Sequence, residues 1–202
     1  SGNINLYGNE SLRFSTACGM SPSLRLDLVL NDFVACAISS GNISVLSDGK
    51  PWRPLIDVRD MSRAIDWAID RQIEDGESFL AVNTGSEDFS YQIKDLANIV
   101  AKNIPGTKVL INPNVKSDAR SYRVDFSLFK HLAPDHQPII SVEQSIHKIK
   151  LGLENMKFSD INFRSSQYMR LRVLEGHIEN KRIDEKLKWV DIKNKIFQRK
   201  NR

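Results

Sequence analysis

The chain has 202 residues, of which 41% are hydrophobic and 27% are charged, a composition typical of a soluble globular protein. No apolar run approaches the roughly 20 residues that a membrane helix requires, and the N-terminus lacks the basic and then apolar layout of a secretory signal. These features exclude a disordered chain and a membrane-spanning protein, so we expect a cytoplasmic location and no membrane partner.

The cysteine, histidine and charge contents argue against a disulfide framework, a metal site and a nucleic-acid-binding surface. Cys18 and Cys36 are too few for a disulfide framework or a zinc site, so we expect buried free thiols in a reducing compartment. Pro134 disfavours a helical pairing of His131 with His136, and we expect no metal site. The net charge is +4, and the last ten residues hold five basic side chains and no acidic one. With little aromatic interleaving, this segment favours a solvated tail over nucleic-acid binding.

Strands and helices alternate in the first part of the chain. A short apolar run at 12–17 predicts a strand that ends in a loop. Apolar residues at helical spacing predict a helix over 24–38 that stops at Gly41, and a β-prone run follows at 43–46. A strand-like segment at 55–58 then leads into a second helix.

That second helix is predicted to begin at Asp60 as its N-cap. Its apolar stripe is expected to face the core and consists of Met61, Ala64, Ile65, Ala68 and Ile69. Next come a strand at 79–83 and a helix capped by Ser90 that ends before Pro105.

The remainder of the chain is more helical. A brief strand is predicted at 109–111, followed by helices near 142–153, 164–179 and 183–189. The whole pattern predicts α/β units on a parallel or mixed sheet, followed by a more helical C-terminal portion. We therefore expect one unit over 1–202, with a sheet-flanking substrate region at 1–104 and a mainly helical region at 105–202.

Motifs in the first sixty residues resemble the extended short-chain dehydrogenase/reductase family. The motifs are Leu12-Arg13-Phe14 followed by Gly19, then Arg25-Leu26-Asp27-Leu28, then Arg53 to Asp60, which reads R-x-x-[IV]-x-V-x-D. The resemblance implies an α/β fold made of the late strands and helices of a Rossmann-like sheet, plus a small, more helical C-terminal substrate domain. It also implies part of an NAD(P)-dependent nucleotide-sugar epimerase or dehydratase.

The motifs that carry this family's chemistry are not found in the chain. The family's glycine-rich loop and its Tyr-x-x-x-Lys pair lie upstream of the LRF strand, and only 11 residues precede Leu12. The ten glycines form no phosphate-cradling loop, and Ser11 stands four residues after Tyr7 where the lysine would be required. We therefore expect no catalytic residue, no turnover and no tight dinucleotide binding in this chain alone, whereas the intact family member would use NAD or NADP.

The resemblance also suggests residues that bind substrate. Arg53 heads the R-x-x-[IV]-x-V-x-D motif, where the family has a diphosphate-binding arginine. Arg120 lies in a segment similar to the family's D-x-R-x-Y-x-x-D, which closes over the nucleotide, and Arg123 is the competing choice there. Thr16 stands where many members have a substrate-binding asparagine. Arg25 and Asn31 are further candidates near the start of the covering helix, whose N-terminus would favour phosphate.

Two functional interpretations follow from these observations. The first is the substrate-binding portion of an epimerase or dehydratase that anchors a nucleoside-diphosphate sugar, with hydride-transfer chemistry supplied by N-terminal residues absent from the chain. The alternative is a truncated or degenerate, non-catalytic nucleotide-sugar-binding or partner-interaction protein. A parallel sheet without its central strands would leave unpaired edges, so we expect a homo-oligomer or an N-terminal domain partner.

Overall fold

The computed structural model describes residues 9–71, 79–111 and 121–190. The chain forms two compact units, Ser1–Ile161 and Asn162–Arg202, whereas the sequence suggested a change of character near residue 104 within a single unit. The strands are β1 (Asn9–Phe14), β2 (Thr16–Cys18), β3 (Asn42–Val45), β4 (Trp52–Asp57), β5 (Phe79–Thr84), β6 (Ser90–Gln92) and β7 (Lys108–Ile111). The α-helices are α1 (Val29–Ser40), α2 (Val58–Asp70), α3 (Ile93–Asn103), α4 (Ser127–Leu132), α5 (Val142–Asn155) and α6 (Arg170–Glu179).

Three small sheets hold the strands of the first unit. β1 pairs with β5 in parallel, with Leu12 opposite Val82, and β3 pairs with β7 in parallel. β4 lies between β2, which is parallel to it, and β6, which is antiparallel to it. The predicted α/β fold with a parallel or mixed sheet is therefore confirmed.

A hydrophobic cluster covers one face of the β1–β5 pair. Alternate strand residues point to this face because side chains in a strand have a period of two. On the helical side, Ala64 and Trp67 of α2 meet Phe129 of α4, and the Trp67 and Phe129 rings pack edge to face with their centroids 5.6 Å apart. The strand members are Leu12, Phe14, Leu80 and Val82.

The predicted apolar stripe of α2 is wrong at two of its positions. Ile65 and Ile69 are 45% and 66% exposed, although Ala64 is fully buried. The helix presents Ala64, Trp67 and Ala68 to the sheet, so residues one position later in sequence are rotated by about 100° away from it. The apolar spacing identified the helix, but Trp67 sets which face is buried.

Helix starts differ from the sequence predictions in three places. α1 begins at Val29 and not near residue 24, because residues 22–28 form turns in which Leu26 is nevertheless fully buried. α2 is capped by Asp57, which accepts the Arg59 N–H, and not by Asp60. Ser90 lies in β6 paired with Pro54, so α3 starts after Gln92. The stop at Gly41 is confirmed, with a left-handed φ of 67°.

Of the three helices predicted in the C-terminal portion, one is confirmed, one starts later and one is replaced by a turn. α5 matches the predicted segment and begins with a capping box between Ser141 and Gln144. α6 starts at Arg170, since residues 163–165 form a 3₁₀ turn. The predicted helix at 183–189 is wrong: Ile183 and Trp189 form an antiparallel bridge around a turn.

Candidate functional site

The loop between β2 and α1 is braced by one buried amide. Asn31 is 2% exposed, its Oδ1 accepts the Gly19 N–H at 3.0 Å, and its Nδ2 donates to the Arg25 carbonyl oxygen at 2.9 Å. The Arg25 guanidinium pairs with Asp27, with 2.7 Å between Nε and Oδ1. The side chain of Asn31 therefore fixes the loop, and Arg25 lies four residues before the helix and not in its first turn.

Asp57 connects three elements at the end of β4. It is 3% exposed, it caps α2, and its carboxylate pairs with Arg59, with 2.8 Å between Arg59 Nε and Oδ1. The hydroxyl of Ser145 on α5 donates to its Oδ2 at 2.5 Å. Burial raises the pKa of Asp57, but the hydrogen bonds from Arg59 and Ser145 outweigh burial, so its pKa lies below the ordinary value.

Asp60, the last residue of the R-x-x-[IV]-x-V-x-D motif, is 1% exposed. Its two carboxylate oxygens accept the backbone N–H groups of Ile139 and Ile140 at 3.2 and 3.0 Å. These bonds tie the start of α2 to the segment before α5. Asp57 and Asp60 together thus form the structural end of the motif.

The other end of the motif contains aromatic and cationic groups. Arg53 Nη1 donates to the Trp52 carbonyl oxygen at 2.8 Å, and the guanidinium carbon lies 5.2 Å from the centroid of the Tyr122 ring. The Arg123 guanidinium carbon lies 3.9 Å from the centroid of the Trp52 ring. Ser121 Oγ accepts the Trp52 N–H at 3.1 Å. We call these five residues the arginine–aromatic cluster.

This cluster joins two motifs that are far apart in the sequence. The segment at 121–123 follows the arginine of the D-x-R-x-Y-x-x-D motif, and it lies against the first two residues of β4. A guanidinium that stacks on a ring keeps its in-plane N–H edge, and this edge is the geometry that binds phosphate oxygens in pairs. The cluster brings two such guanidiniums, those of Arg53 and Arg123, to one part of the surface.

The remaining predicted site residues lie elsewhere or are not described. Thr16 is half-buried in β2, opposite Leu55 of β4. Arg120 lies outside the described residues. Sequence reasoning did not single out Tyr122 as a site residue, although its place in D-x-R-x-Y-x-x-D is a usable signal. The substrate roles of Arg53, Arg120, Thr16, Arg25 and Asn31 stay predictions.

A small pocket opens beside Asp57. It is lined mostly by apolar side chains, with Cys18, Tyr91 and Ser145 among its walls, and its cavity volume is about 10 Å³. Burial raises the pKa of Tyr91 to about 12, with a further contribution from the charge of Glu143. Burial, followed by the charge of Asp57, raises the pKa of Cys18 to about 12. A cavity of this size admits at most about one water molecule and no drug-sized ligand.

The starts of α1 and α2 do not fit a dinucleotide. The N-terminus of α2 is already occupied by the carboxylate of Asp57, which would repel a pyrophosphate. The Gly19 N–H before α1 donates to Asn31, and α1 has Asp32 in its first turn. Neither of these helix starts offers the open glycine-rich cradle that a pyrophosphate requires.

No group of three or more histidine, cysteine or acidic side chains is placed to hold a metal ion in the ranges 9–71, 79–111 and 121–190. No helix described there is long and apolar enough to cross a bilayer.

Comparison with known proteins agrees with the motifs. Residues 10–85 match the model of the NAD dependent epimerase/dehydratase family, so the resemblance predicted from the sequence is confirmed over this segment. The match includes the LRF strand and the whole R-x-x-[IV]-x-V-x-D motif. No curated protein matches the chain significantly.

Solved structures of nucleotide-sugar enzymes share the fold. An NAD-dependent NDP-hexosamine 5,6-dehydratase involved in tunicamycin biosynthesis is 22% identical, with a TM-score of 0.57 over 75% of this chain and 46% of its own. RMD from Pseudomonas aeruginosa complexed with NADPH is 16% identical, with a TM-score of 0.59 over 73% and 48%. The UDP-Glc/GlcNAc 4-epimerase from Campylobacter jejuni is 21% identical, with a TM-score of 0.57 over 74% and 49%. The chain spans about half the length of these structures.

Proposed function

We propose that this chain is the substrate-binding portion of an NAD(P)-dependent nucleotide-sugar epimerase or dehydratase. In this proposal it anchors a nucleoside-diphosphate sugar through Arg53, with Arg120 as a second cation on the same phosphates. The observation that carries the proposal is the contact between the start of β4 and the segment at 121–123, because it assembles the arginine–aromatic cluster from the family's two anchoring motifs.

The chemistry of the cluster suits a diphosphate. A diphosphate offers several oxygens within a short span, and planar guanidiniums bind such oxygens through paired, charge-assisted hydrogen bonds. The Tyr122 and Trp52 rings hold the two guanidiniums at 5.2 and 3.9 Å, which limits their rotamers before a ligand arrives. Such preorganisation favours an anion held in one orientation.

Anchoring orients the sugar but does not transfer hydride. Hydride transfer in the whole enzyme would be carried by a nicotinamide cofactor and an acid–base pair, which we assign to residues other than those described. In this assignment the diphosphate anchor holds the reacting sugar carbon in place for the cofactor. We therefore expect this chain to show no turnover by itself.

Titration calorimetry with UDP and GDP tests the anchor. We expect the Arg53→Ala variant to bind at least about tenfold more weakly, because charge-assisted hydrogen bonds are worth about 1.5–3 kcal/mol. The matched control is Arg13→Ala, which removes an exposed arginine of β1. Equal affinity of the wild-type chain and the Arg53→Ala chain, or no binding of either nucleotide by the wild-type chain, would refute the anchor.

The assignment of catalysis has its own test. The wild-type chain, supplied with NAD and UDP-glucose, should give no epimerised or dehydrated sugar and no change in nicotinamide absorbance. Turnover by the chain alone would place the catalytic residues within it. The binding test and the turnover test therefore address separate claims, and either claim can be refuted without the other.

A partner-interaction protein is the second candidate, and the β1–β5 pair favours it. Within the described residues β1 has β5 along one edge and no strand along the other, and Phe79 at the start of β5 is 61% exposed. Ile65 and Ile69 add exposed apolar surface on α2. If this surface mediates self-association, analytical ultracentrifugation should show a concentration-dependent dimer that the Ile69→Lys variant loses. A monomer at all concentrations would exclude a homo-oligomer.

A further inference from the structure

Charge is distributed very unevenly between the two units. Residues 162–202 contain 12 lysines and arginines and 5 acidic residues, a net charge of +7, so residues 1–161 carry −3 in a chain of net charge +4. Such asymmetry within a chain indicates a region that meets a polyanion. A solvated tail alone does not account for it, because seven of these basic residues lie between 162 and 190.

The end of the second unit is a fixed turn rather than the predicted helix. We call residues 181–190 the C-terminal turn. Ile183 and Trp189 form a β-bridge, and the Val190 N–H donates to the Arg182 carbonyl oxygen at 2.9 Å. Asp184 Oδ1 accepts the N–H groups of Lys186 and Lys188, both at 2.9 Å, so this carboxylate supports the backbone.

The turn presents apolar side chains that its backbone holds in place. Trp189 is 72% exposed although its ring lies edge-on to His177, with 5.4 Å between the ring centroids. Leu187 at the tip is 58% exposed. Tryptophan is enriched at interfaces where one side of its ring is apolar and the other is wet, and the exposed Trp189–Leu187 pair is suited to such a contact.

Basic side chains surround these two apolar residues. The turn contains Lys181, Arg182, Lys186 and Lys188, all of them exposed, against Asp184 and Glu185. Tryptophan and leucine set among lysines and arginines are the composition of a segment that lies in the interface of an anionic bilayer. A single-stranded nucleic acid is typically bound by several stacking aromatic rings, whereas the turn has one exposed ring, that of Trp189.

We propose that the C-terminal turn docks on the surface of an anionic lipid bilayer. Trp189 and Leu187 enter the headgroup region, while the four basic side chains meet lipid phosphates and carboxylates. The interaction is peripheral and independent of the proposed nucleotide-sugar site. It departs from the sequence expectation of no membrane partner, because an isolated turn carries no signal of the kind that a membrane-spanning helix gives.

Vesicle flotation with the full chain tests the proposal. The probes are vesicles of phosphatidylcholine alone and vesicles with about one-third phosphatidylserine, at low and at physiological salt. We expect flotation only with the anionic vesicles and a loss of flotation as salt rises. A blue shift of tryptophan fluorescence should accompany binding and should be absent from the Trp189→Phe variant.

Two variants locate the contact. Lys186→Glu/Lys188→Glu should weaken binding on the order of tenfold or more, because each basic residue near an anionic surface contributes separately. The matched control, Lys130→Glu/Lys148→Glu, makes the same charge change at two exposed positions of the first unit and should bind as the wild type does. Absence of flotation with anionic vesicles, equal loss in the control, or binding of duplex DNA or RNA without vesicle binding would each overturn the proposal.

Discussion

Arg53 and Asp60 stand at opposite ends of one motif, and their surroundings differ in almost every respect. Asp60 is 1% exposed and accepts two backbone N–H groups from the segment before α5. Arg53 is half-buried, and its guanidinium donates to the Trp52 carbonyl oxygen and lies over the face of the Tyr122 ring. The acidic end is enclosed by the fold, whereas the basic end lies beside a second cationic side chain at the surface.

The two ends of the motif therefore have different roles, one in stability and the other in binding. Asp57 and Asp60 satisfy buried backbone groups that would otherwise be orphaned, so their replacement should lower stability. The Arg53 guanidinium contacts the Trp52 carbonyl oxygen and the Tyr122 ring beside a second guanidinium, so its replacement should lower affinity for an anion more than stability. The fixed number of residues between Arg53 and Asp60 then places the proposed diphosphate anchor at a set position relative to the start of α2.

Asp60→Ala should have the largest effect on stability. The substitution leaves the N–H groups of Ile139 and Ile140 without their acceptor in a buried place, and we expect a loss of about 3 kcal/mol in the free energy of unfolding. Urea denaturation measures the loss. Asp66→Ala, at an exposed position of the same helix, is the control and should change stability by less than about 0.5 kcal/mol. Similar values for both variants would remove the distinction between the two ends.

Asp57→Asn should cost about 2 kcal/mol at pH 7, since it keeps a side-chain oxygen that can cap α2 but removes the buried negative charge that pairs with Arg59 and accepts the Ser145 hydroxyl. The folded-state pKa of Asp57 is below its ordinary value, so the unfolded chain binds the proton more readily. The contribution is therefore complete above the ordinary pKa of about 4 and is lost as the pH falls through the lower folded pKa. Denaturation between pH 3 and 7 should show a flatter stability profile for the variant, and parallel profiles would contradict this role.

Gly19→Ala should cost about 1–2 kcal/mol. Gly19 has a φ of 108°, and a Cβ atom there would lie 2.8 Å from Asp57 Oδ2. Gly176→Ala is the control, because a Cβ atom in the middle of α6 meets nothing within 4 Å and alanine favours the helix. Thermal unfolding of both variants measures the difference, and a stable Gly19→Ala chain would show that the loop after β2 is not held against Asp57.

The smallest expected effect concerns the chemical reactivity of the Cys18 thiol and not the stability of the chain. Because burial and the charge of Asp57 raise its pKa to about 12, the thiolate is scarce at pH 8. Peptide mapping after iodoacetamide treatment should find Cys18 unmodified in the native chain and modified in denaturant. Rapid labelling in the native chain would mean that the pocket beside Asp57 opens.

The sequence predicts the elements of the fold better than their faces or their ends. Gly41 and the run of apolar residues identified α1, because a left-handed stop and helical spacing are local properties. Ile65 and Ile69 were assigned to the core, because periodicity cannot show that Trp67 turns the helix toward the β1–β5 pair. Ser90 has the chemistry of a cap, but pairing with Pro54 across the sheet takes it into a strand.

The candidate site was predictable only through its motifs. Arg53 and the segment around Arg123 are separated by about seventy residues, and no local pattern indicates that Ser121 bonds to Trp52. The role of Asn31 was likewise hidden, because its two partners, Gly19 and the Arg25 carbonyl, become neighbours only when the loop folds back on α1. Contacts of this range depend on tertiary packing and not on residue type.

The most direct test of the central claim measures affinity and stability on one variant, Arg53→Ala. Affinity for a nucleoside diphosphate is followed by calorimetry, and the free energy of unfolding by urea denaturation in the absence of ligand. The predicted result is a loss of affinity of about tenfold or more, with a loss of stability well below the about 3 kcal/mol expected for Asp60→Ala. Unchanged affinity together with a marked loss of stability would make Arg53 a structural residue like Asp60, and the division of the motif would be wrong.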